Sequence, residues 1–229
     1  MSKTVVIHQP DFLPYLGFFH RLLYVDLYVV LDDVQFVRRG WHNRDKIKTR
    51  QGEKWITVTT KKERKTALIN EMMLCETADF RGEHLRLFKE NYGKSKYYSE
   101  IMPHIERLYD FKCERMMDFN MKSIDMLMEL FDVTTDYIFS ADLGIEGIKD
   151  YKTVGILKKL NVKHYLSGVG AKVFHQPELF KEAGIEVVFQ DFKHPVYPQQ
   201  FGDFISYLSS IDLLFNCGIE KSREILRSI

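Results

Sequence analysis

The stretch TVVIHQPDFLPYLGFFHRLLYVDLYVVL, residues 4–31, decides the fold. It begins with a β-branched run at residues 4–8 and ends with a second apolar run at 27–31, both typical of strands that are buried on two faces. Between them, residues 16–24 carry apolar side chains at helical spacing. The order strand, loop, helix, strand predicts a βαβ unit in which the two strands lie parallel.

The rest of the chain continues this alternation. Further strands are predicted at residues 55–59, more weakly at 69–74, and then at 137–139, 164–167 and 186–190. Helices are predicted at 80–92, 99–109, 115–131, 154–160, 178–183 and 201–214, with Gly218 as a C-cap after the last one. We therefore predict an α/β fold with a mostly parallel, Rossmann-like sheet flanked by helices and a helical insertion near residues 80–132. Because no repeat or Pro/Gly/Ser linker divides it, the chain 1–229 is expected to form a single domain.

Composition and spacing exclude several classes of protein. Hydrophobic residues make up 45% of the 229 residues and charged residues 28%, which excludes a chain dominated by disorder. The three cysteines are widely separated and no HxxxH or HExxH occurs, so neither a disulfide framework nor a metal site is predicted. Since the N-terminal apolar run is too short for a signal peptide and no 18-residue apolar stretch follows, we expect a cytoplasmic protein without a membrane span.

The loop after the first strand holds the first candidate site. His8, Gln9 and Asp11 follow that strand, and two prolines restrict the backbone around them. Parallel sheets bind ligands beyond the carboxyl ends of their strands, so Gln9 and Tyr15 are predicted to contact a ligand there. We predict that His8, with an unperturbed pKa of about 6.5, is a catalytic base and that Asp11 orients its imidazole. The alternative is a tight turn in which these side chains only satisfy backbone groups.

The second strand is followed by two adjacent carboxylates and an amide. Neighbouring residues in an extended segment face opposite sides, so one of Asp32 and Asp33 faces a ligand bound to the sheet edge. We predict a catalytic role for Asp33, which could orient a hydroxyl or an amine or hold Mg²⁺ with a ligand phosphate, and a substrate contact for Gln35. The alternative is a charge pair between an aspartate and the arginines that follow.

Basic residues are concentrated in residues 38–65. This segment has eleven basic and three acidic residues, a net charge of +8, which leaves −7 on the rest of the chain. Because the acidic remainder would repel a long nucleic acid, a small phosphorylated ligand, a nucleotide or nucleotide sugar, is preferred. Side chains of the types that bind phosphate and stack on a base or sugar are predicted to contact it: Arg39, Trp41, Asn43, Arg44 and Lys46. A solvated basic hairpin is the alternative for residues 61–65.

The sequence YLSGVGAK at residues 165–172 follows another predicted strand. Its glycines permit close backbone approach, so Ser167, Gly168, Gly170 and Lys172 are predicted to bind the ligand. The stretch matches neither GxGxxG nor GxxxxGK[ST], and a plain strand-to-helix turn is the alternative.

Residues 192–199 again place a histidine next to a proline after a strand. His194 is a second candidate base, and Tyr197 and Gln199 are candidate hydrogen-bonding partners of the substrate. A structural loop is the alternative.

With these stretches in place, the chain resembles the WbqC-like family, small proteins encoded in bacterial surface-polysaccharide clusters. The resemblance implies modification of an activated sugar in O-antigen or other lipopolysaccharide biosynthesis. Our working interpretation is amide formation by acyl or aminoacyl transfer onto a nucleotide-linked amino sugar, with the cofactor unknown. The matching stretches are IHQPDFLPYLGFFHRL at 7–22, LDDVQF at 31–36, WHNRDKIK at 41–48, YLSGVGAK at 165–172, HPVYPQ at 194–199 and SSIDLLFNCG at 209–218.

Two other functions are kept open. One is a non-catalytic protein that binds a nucleotide sugar or acts as a scaffold. The other is a diverged nucleotidyltransferase-like enzyme, because residues 11–18 are similar to the start of nucleotidyltransferases with an HxGH signature, although Phe18 replaces a histidine of that signature. The sequence leaves the oligomeric state open.

Overall fold

The computed structural model describes residues 3–173 and 175–229. Five of its strands form a parallel sheet with the spatial order β5-β2-β1-β6-β7, and two form a separate antiparallel hairpin, β3-β4. The strands are β1 (Thr4–His8), β2 (Leu27–Val30), β3 (Arg44–Thr49), β4 (Gly52–Thr57), β5 (Asp136–Phe139), β6 (His164–Ser167) and β7 (Glu186–Phe189).

Helices cover both faces of the parallel sheet. Alternate side chains of each strand point to opposite faces. Val5 and Ile7 of β1 pack with α6 (Lys149–Lys159) and α7 (Pro177–Glu182), whereas Val6 packs on the other side. That other side is covered by α1 (Leu16–Leu22), α4 (Met116–Phe131) and α8 (Ile211–Arg227). The short helix α5 (Ser140–Leu143) follows β5 directly.

The helical insertion consists of α2 (Phe80–Tyr92), α3 (Tyr98–Asp110) and α4. Both α3 and α4 pack against α8. The Tyr92 and Phe215 rings stack with centroids 4.6 Å apart, which joins α2 to α8. The predicted α/β class, with a parallel sheet, flanking helices and this insertion, is confirmed.

Two predicted strands are corrected by the structure. The segment 69–74 is not a strand: Ile69–Glu71 is a single 3₁₀ turn, because the Glu71 carboxylate accepts a hydrogen bond from the Leu68 N–H and caps it. The strand predicted at 55–59 is β4, which begins at Gly52 and pairs with β3. β3 itself was not predicted, because cations occupy both half-buried and buried positions of this strand, so its sequence does not alternate between polar and apolar residues.

The final helix is also displaced from its predicted position. Residues 201–210 are irregular, and α8 begins at Ile211. Phe201 and Tyr207 have φ values of 61° and 56°, in the left-handed region, which a right-handed helix cannot contain. At Gly218, φ is 76° and ψ is 171°, so this glycine interrupts the helix, which then continues to Arg227. In the described part of the chain, no helix combines the length and the apolar composition needed to cross a bilayer.

Candidate functional site

The order of the strands reverses between β1 and β6. The chain passes from β1 to β2 on one side, and β6 lies on the other side of β1. At such a switch point the loops that follow neighbouring strands diverge and leave a crevice at their carboxyl ends, where α/β proteins bind ligands. We use the name β1–β6 crevice for the site formed by His8, Asp11, Arg21 and Gly168.

The loop between β1 and α1 is held in one conformation by distant segments. Leu13 is buried and has a φ of 43°, a left-handed conformation that costs a non-glycine residue about 1–2 kcal/mol. Its N–H donates to Ser123 Oγ at 3.3 Å, and its carbonyl accepts from Ser209 Oγ at 2.7 Å. Strain that is fixed by surrounding structure is typical of positions where a precise local geometry is required.

His8 lies at the end of β1 with 30% of its side chain exposed. Its Nδ1 donates to the Gln9 carbonyl at 2.9 Å, which leaves Nε2 as an unprotonated acceptor. Burial first, and then the charge of Arg21, lower the pKa of His8 to about 3. His8 is therefore neutral at pH 7, and its pKa lies below the value of about 6.5 on which the prediction of a base rested.

Asp11, rather than His8, has a pKa near neutral pH. The residue is 7% exposed, and its Oδ2 lies 3.6 Å from His8 Nδ1. Burial raises the pKa of Asp11 to about 7, even though the Arg21 guanidinium acts in the opposite direction. A group that transfers protons works best when its pKa lies near the operating pH, so Asp11 is the better candidate base of the pair.

Arg21 completes the crevice and was missed in the sequence analysis. It is 4% exposed, and its Nη1 donates to Gln190 Oε1 at 3.2 Å. Its Nη2 has no hydrogen-bond partner among residues 3–173 and 175–229. A Cβ at Gly168 would lie 2.8 Å from Nη1, so glycine is needed here for the guanidinium to fit against the loop after β6.

Asp33 is held in a partly buried ion pair. Lys152 Nζ donates to its Oδ2 at 2.7 Å, and Ser140 Oγ donates to its other oxygen. Lys152, rather than one of the arginines that follow in the sequence, is therefore its charge partner. Asp32 accepts a hydrogen bond from the Ala141 N–H at 3.0 Å and so caps α5. Both carboxylates fix the segment after β5 to the end of β2.

Two exposed tryptophans and two half-buried cations lie together on and next to the β3–β4 hairpin, and we call them the hairpin patch: Trp41, Trp55, Arg44 and Lys46. The Arg44 guanidinium lies 3.8 Å from the centre of the Trp55 ring, and the two tryptophan rings are 5.3 Å apart. Lys46 Nζ lies 5.0 Å from the Trp55 ring and forms an ion pair with Glu53 at 2.8 Å. The patch thus combines phosphate-binding cations with rings on which a base or sugar can stack.

Hydrogen bonds join the hairpin patch to the loop of the crevice. The Phe12 N–H donates to the Trp41 carbonyl at 3.0 Å, and His42 Nδ1 lies 3.3 Å from Gln9 Oε1. Asn43, the next residue, is buried, and its Oδ1 has no partner in the described part of the chain. The structure therefore brings the predicted ligand residues of 9–11 and 41–46 side by side.

Only part of the loop after β6 belongs to the crevice. Ser167 is buried at the end of β6, and Gly168 lies against Arg21. Gly170 and Lys172 are exposed on a 3₁₀ helix, Val169–Val173, that contains no buried side chain.

Tyr197 and Gln199 belong to a hydrogen-bond network around the buried residue Asp212 of α8. The Asp212 carboxylate of α8 accepts hydrogen bonds from Tyr197 OH at 3.0 Å, from Gln199 Nε2 at 2.8 Å and from Tyr92 OH at 2.7 Å. Lys48 Nζ donates to Gln199 Oε1 at 3.0 Å. These contacts bind both side chains within the protein, and their contact with a substrate stays a prediction.

His194 lies in a cluster of aromatic rings. Its ring centroid is 5.0 Å from that of Tyr207 and 5.8 Å from that of Phe192, which also contacts Tyr15. Burial lowers the pKa of His194, and its Nδ1 donates to the Pro195 carbonyl at 2.9 Å. The lowered pKa makes His194 a weaker base than a solvent-exposed histidine, and its role as a base stays a prediction.

The two remaining predicted residues lie at the surface. Gln35 Nε2 donates to the Lys65 carbonyl at 2.8 Å, so this side chain fixes a loop. Arg39 is exposed, and its φ of 62° places it in a turn next to the hairpin patch.

Two cavities near 500 Å³ lie outside the four residues of the β1–β6 crevice, and Gln190, which binds Arg21, lines one of them. One, of about 490 Å³, lies at the amino ends of β2 and β5, and another, of about 480 Å³, runs along β6 and β7. The β1–β6 crevice is instead filled by its own polar side chains. No group of three or more potential metal ligands occurs within residues 3–173 and 175–229.

Comparison with known proteins finds similarity along nearly the whole chain. The "Uncharacterized protein Rv1507c" of Mycobacterium tuberculosis is 29% identical over 221 residues, which cover 95% of both chains. No solved structure matches the chain significantly. The profile of the WbqC-like protein family matches residues 9–224, a stretch that includes the crevice and the hairpin patch. The chain therefore belongs to the WbqC-like protein family.

Proposed function

We propose that this protein is an amide-forming acyl or aminoacyl transferase that acts on a nucleotide-linked amino sugar. Membership of the WbqC-like family suggests a role related to polysaccharide biosynthesis. The observation that carries the proposal is Asp11, a buried carboxyl group with a pKa of about 7 at the carboxyl edge of the sheet. Such a group can exchange protons with a substrate at neutral pH.

Amide formation requires this proton exchange. The amine nitrogen of the sugar forms a bond to the acyl carbon, the bond between that carbon and its leaving group breaks, and the nitrogen loses a proton. The Asp11 carboxylate takes that proton, and His8 Nε2 accepts a hydrogen bond that orients the amine. A neutral His8 suits this second role, because a protonated imidazole would repel an ammonium group.

The hairpin patch supports a nucleotide as the other part of the substrate. In this arrangement Arg39, Arg44 and Lys46 contact the phosphates, and the exposed tryptophan rings stack on the base or sugar. The hydrogen bond from the Phe12 N–H to the Trp41 carbonyl joins the patch to the loop that contains Asp11. In the proposed arrangement the nucleotide is held on the patch and its sugar extends towards Asp11.

The test is turnover measured by mass spectrometry. The purified protein is incubated with UDP- and dTDP-linked amino sugars, together with an acyl thioester or with an amino acid and ATP. We expect a sugar product that is heavier by the transferred acyl group, and Asp11→Asn should lower the rate by roughly 10²–10⁴. Asp110→Asn, which removes an exposed carboxylate on α3, serves as the matched control. Equal rates in the wild type and in Asp11→Asn would refute the assignment of the base.

A non-catalytic nucleotide-sugar binding protein is the second candidate. It is favoured by the filled crevice and by the position of the cavities elsewhere. Tight binding of a nucleotide sugar whose mass stays unchanged with every donor would support it. A nucleotidyltransferase is less well supported, because Phe18, at a histidine position of the HxGH signature, is buried with its ring 5.6 Å from that of Tyr28.

A further inference from the structure

Arg21 is a buried cation that forms no ion pair with any residue the structure describes. Arginine is almost never fully buried unless its charge is paired, because removing the charge from water is unfavourable. Among the described residues, the guanidinium of Arg21 forms no ion pair; its Nη1 binds the neutral amide oxygen of Gln190, and its Nη2 binds nothing. The Arg21 guanidinium can therefore offer a positive charge and the Nη2 hydrogen-bond donor to a ligand.

The surroundings of Arg21 show where that donor is held. The residue lies on α1, but its guanidinium reaches the loops that follow β6 and β7, at Gly168 and Gln190. Its charge acts on both His8 and Asp11. The free donor is thus at the switch point of the sheet and next to the proposed base.

Asp11 does not supply the missing negative charge. Its carboxylate makes no ion pair with Arg21 in the described part of the chain, and its Oδ2 lies instead 3.6 Å from His8 Nδ1. An anion that accepts hydrogen bonds from the guanidinium would complete the site.

We propose that Arg21 binds an oxyanion of a substrate, a phosphate or a carboxylate group, in the β1–β6 crevice. The guanidinium fork matches the geometry of both groups. The role of this anion rests on the proposed function: since the hairpin patch contacts the phosphates of the nucleotide, the group on Arg21 belongs to the acyl or aminoacyl donor. Binding of the anion itself does not depend on turnover.

The segment Val169–Val173, which follows Gly168, contains no buried side chain. Segments with few buried contacts move at low cost in free energy. Since Gly168 lies against the Arg21 guanidinium, we expect an anion to reach Arg21 by displacement of this segment.

The experiment uses simple anions as probes. Thermal unfolding and calorimetric titration are carried out with sulfate, acetate and chloride at equal ionic strength. Stabilisation by sulfate indicates a phosphate site, stabilisation by acetate indicates a carboxylate site, and chloride controls for screening. Arg21→Met should abolish the effect, and Lys89→Met, which removes an exposed charge on α2, should retain it.

Two milder variants keep the test decisive if Arg21→Met does not fold. Arg21→Lys retains the charge without the fork, and Gly168→Ala displaces the guanidinium; each should weaken anion binding roughly tenfold or more. Without added anion, Arg21→Met should unfold at the same temperature as the wild type or higher, because it removes an unpaired buried charge. The proposal fails if neither sulfate nor acetate binds the wild type, if these variants bind as the wild type does, or if Arg21→Met is destabilised. Anion binding without acyl transfer would refute only the proposed function.

Discussion

Replacing Asp11 with Asn should make the protein more stable and less active at the same time. A carboxyl group with a raised pKa destabilises the folded state wherever the unfolded chain would ionise it. Asparagine has nearly the same shape and never ionises, so the variant removes this cost. A catalytic group kept at such a cost is expected to be needed for function rather than for folding.

The size and the sign of the effect follow from the pKa. Burial raises the pKa of Asp11 from 3.8 to about 7. At about 1.4 kcal/mol per pKa unit, the wild type loses at most about 4 kcal/mol of stability as the pH rises from about 4 to about 7. The gain from Asp11→Asn should therefore be close to zero at pH 4, intermediate at pH 5.5 and complete above pH 7.

The assay is urea unfolding of the wild type and of Asp11→Asn at pH 4, 5.5, 7 and 8. The midpoints and slopes give the free energy of unfolding at each pH. Turnover of both proteins is measured over the same range, where the rate of the wild type should rise with pH and level off above an apparent pKa of about 7. Asp110→Asn again controls for loss of a surface charge.

Two results would refute this reasoning. A stability difference that does not change with pH would mean that Asp11 titrates in its ordinary range. A destabilised Asp11→Asn protein at pH 8 would mean that the ionised carboxylate stabilises the loop, and its role would then be structural.

Three further predictions test other parts of the site. His8→Gln should reduce the loss of stability between pH 6.5 and pH 4, because the lowered pKa keeps His8 neutral in the folded state while the unfolded chain takes up a proton; identical acid unfolding curves would contradict this. Arg44→Ala should weaken binding of a nucleoside diphosphate by about 1.5–3 kcal/mol in calorimetric titration, and unchanged affinity in the folded variant would remove the hairpin patch from the site. Lys152→Met should lower the free energy of unfolding by about 1–3 kcal/mol because it leaves the partly buried Asp33 carboxylate without its charged partner, whereas an unchanged free energy of unfolding would show that the ion pair is dispensable.

The parallel sheet could be predicted because the middle of each central strand is apolar. Residues 5–7 and 28–30 are buried on both faces of the sheet, so consecutive positions carry the same signal. β3 lacks that signal, since it contains the buried residues Asp45 and Lys48. Lys48 is buried through hydrogen bonds to Gln199 and to the Asp203 carbonyl, about 150 residues further along the chain. Local periodicity does not reveal contacts of this kind.

The position of the candidate base could be predicted, but its identity could not. Loops after parallel strands are the expected place for ligand contacts, and His8 and Asp11 both lie in such a loop. Which of the two titrates near neutral pH depends on how deeply each is buried and on how the Arg21 charge acts on them. Burial lowers the pKa of a histidine and raises that of a carboxyl group, so the same crevice moves the two groups in opposite directions.

Arg21 shows why the rest of the crevice could not be predicted from the sequence alone. In the segment FFHRLL a single cation among apolar residues predicts a side chain that extends to the surface of a helix. Its burial depends instead on Gly168, which leaves room for the guanidinium, and on Gln190, which binds it. These two residues follow β6 and β7, and they meet Arg21 only because β6 lies next to β1 in the sheet. The order of the strands, more than any single motif, therefore determines that a buried cation faces the proposed base.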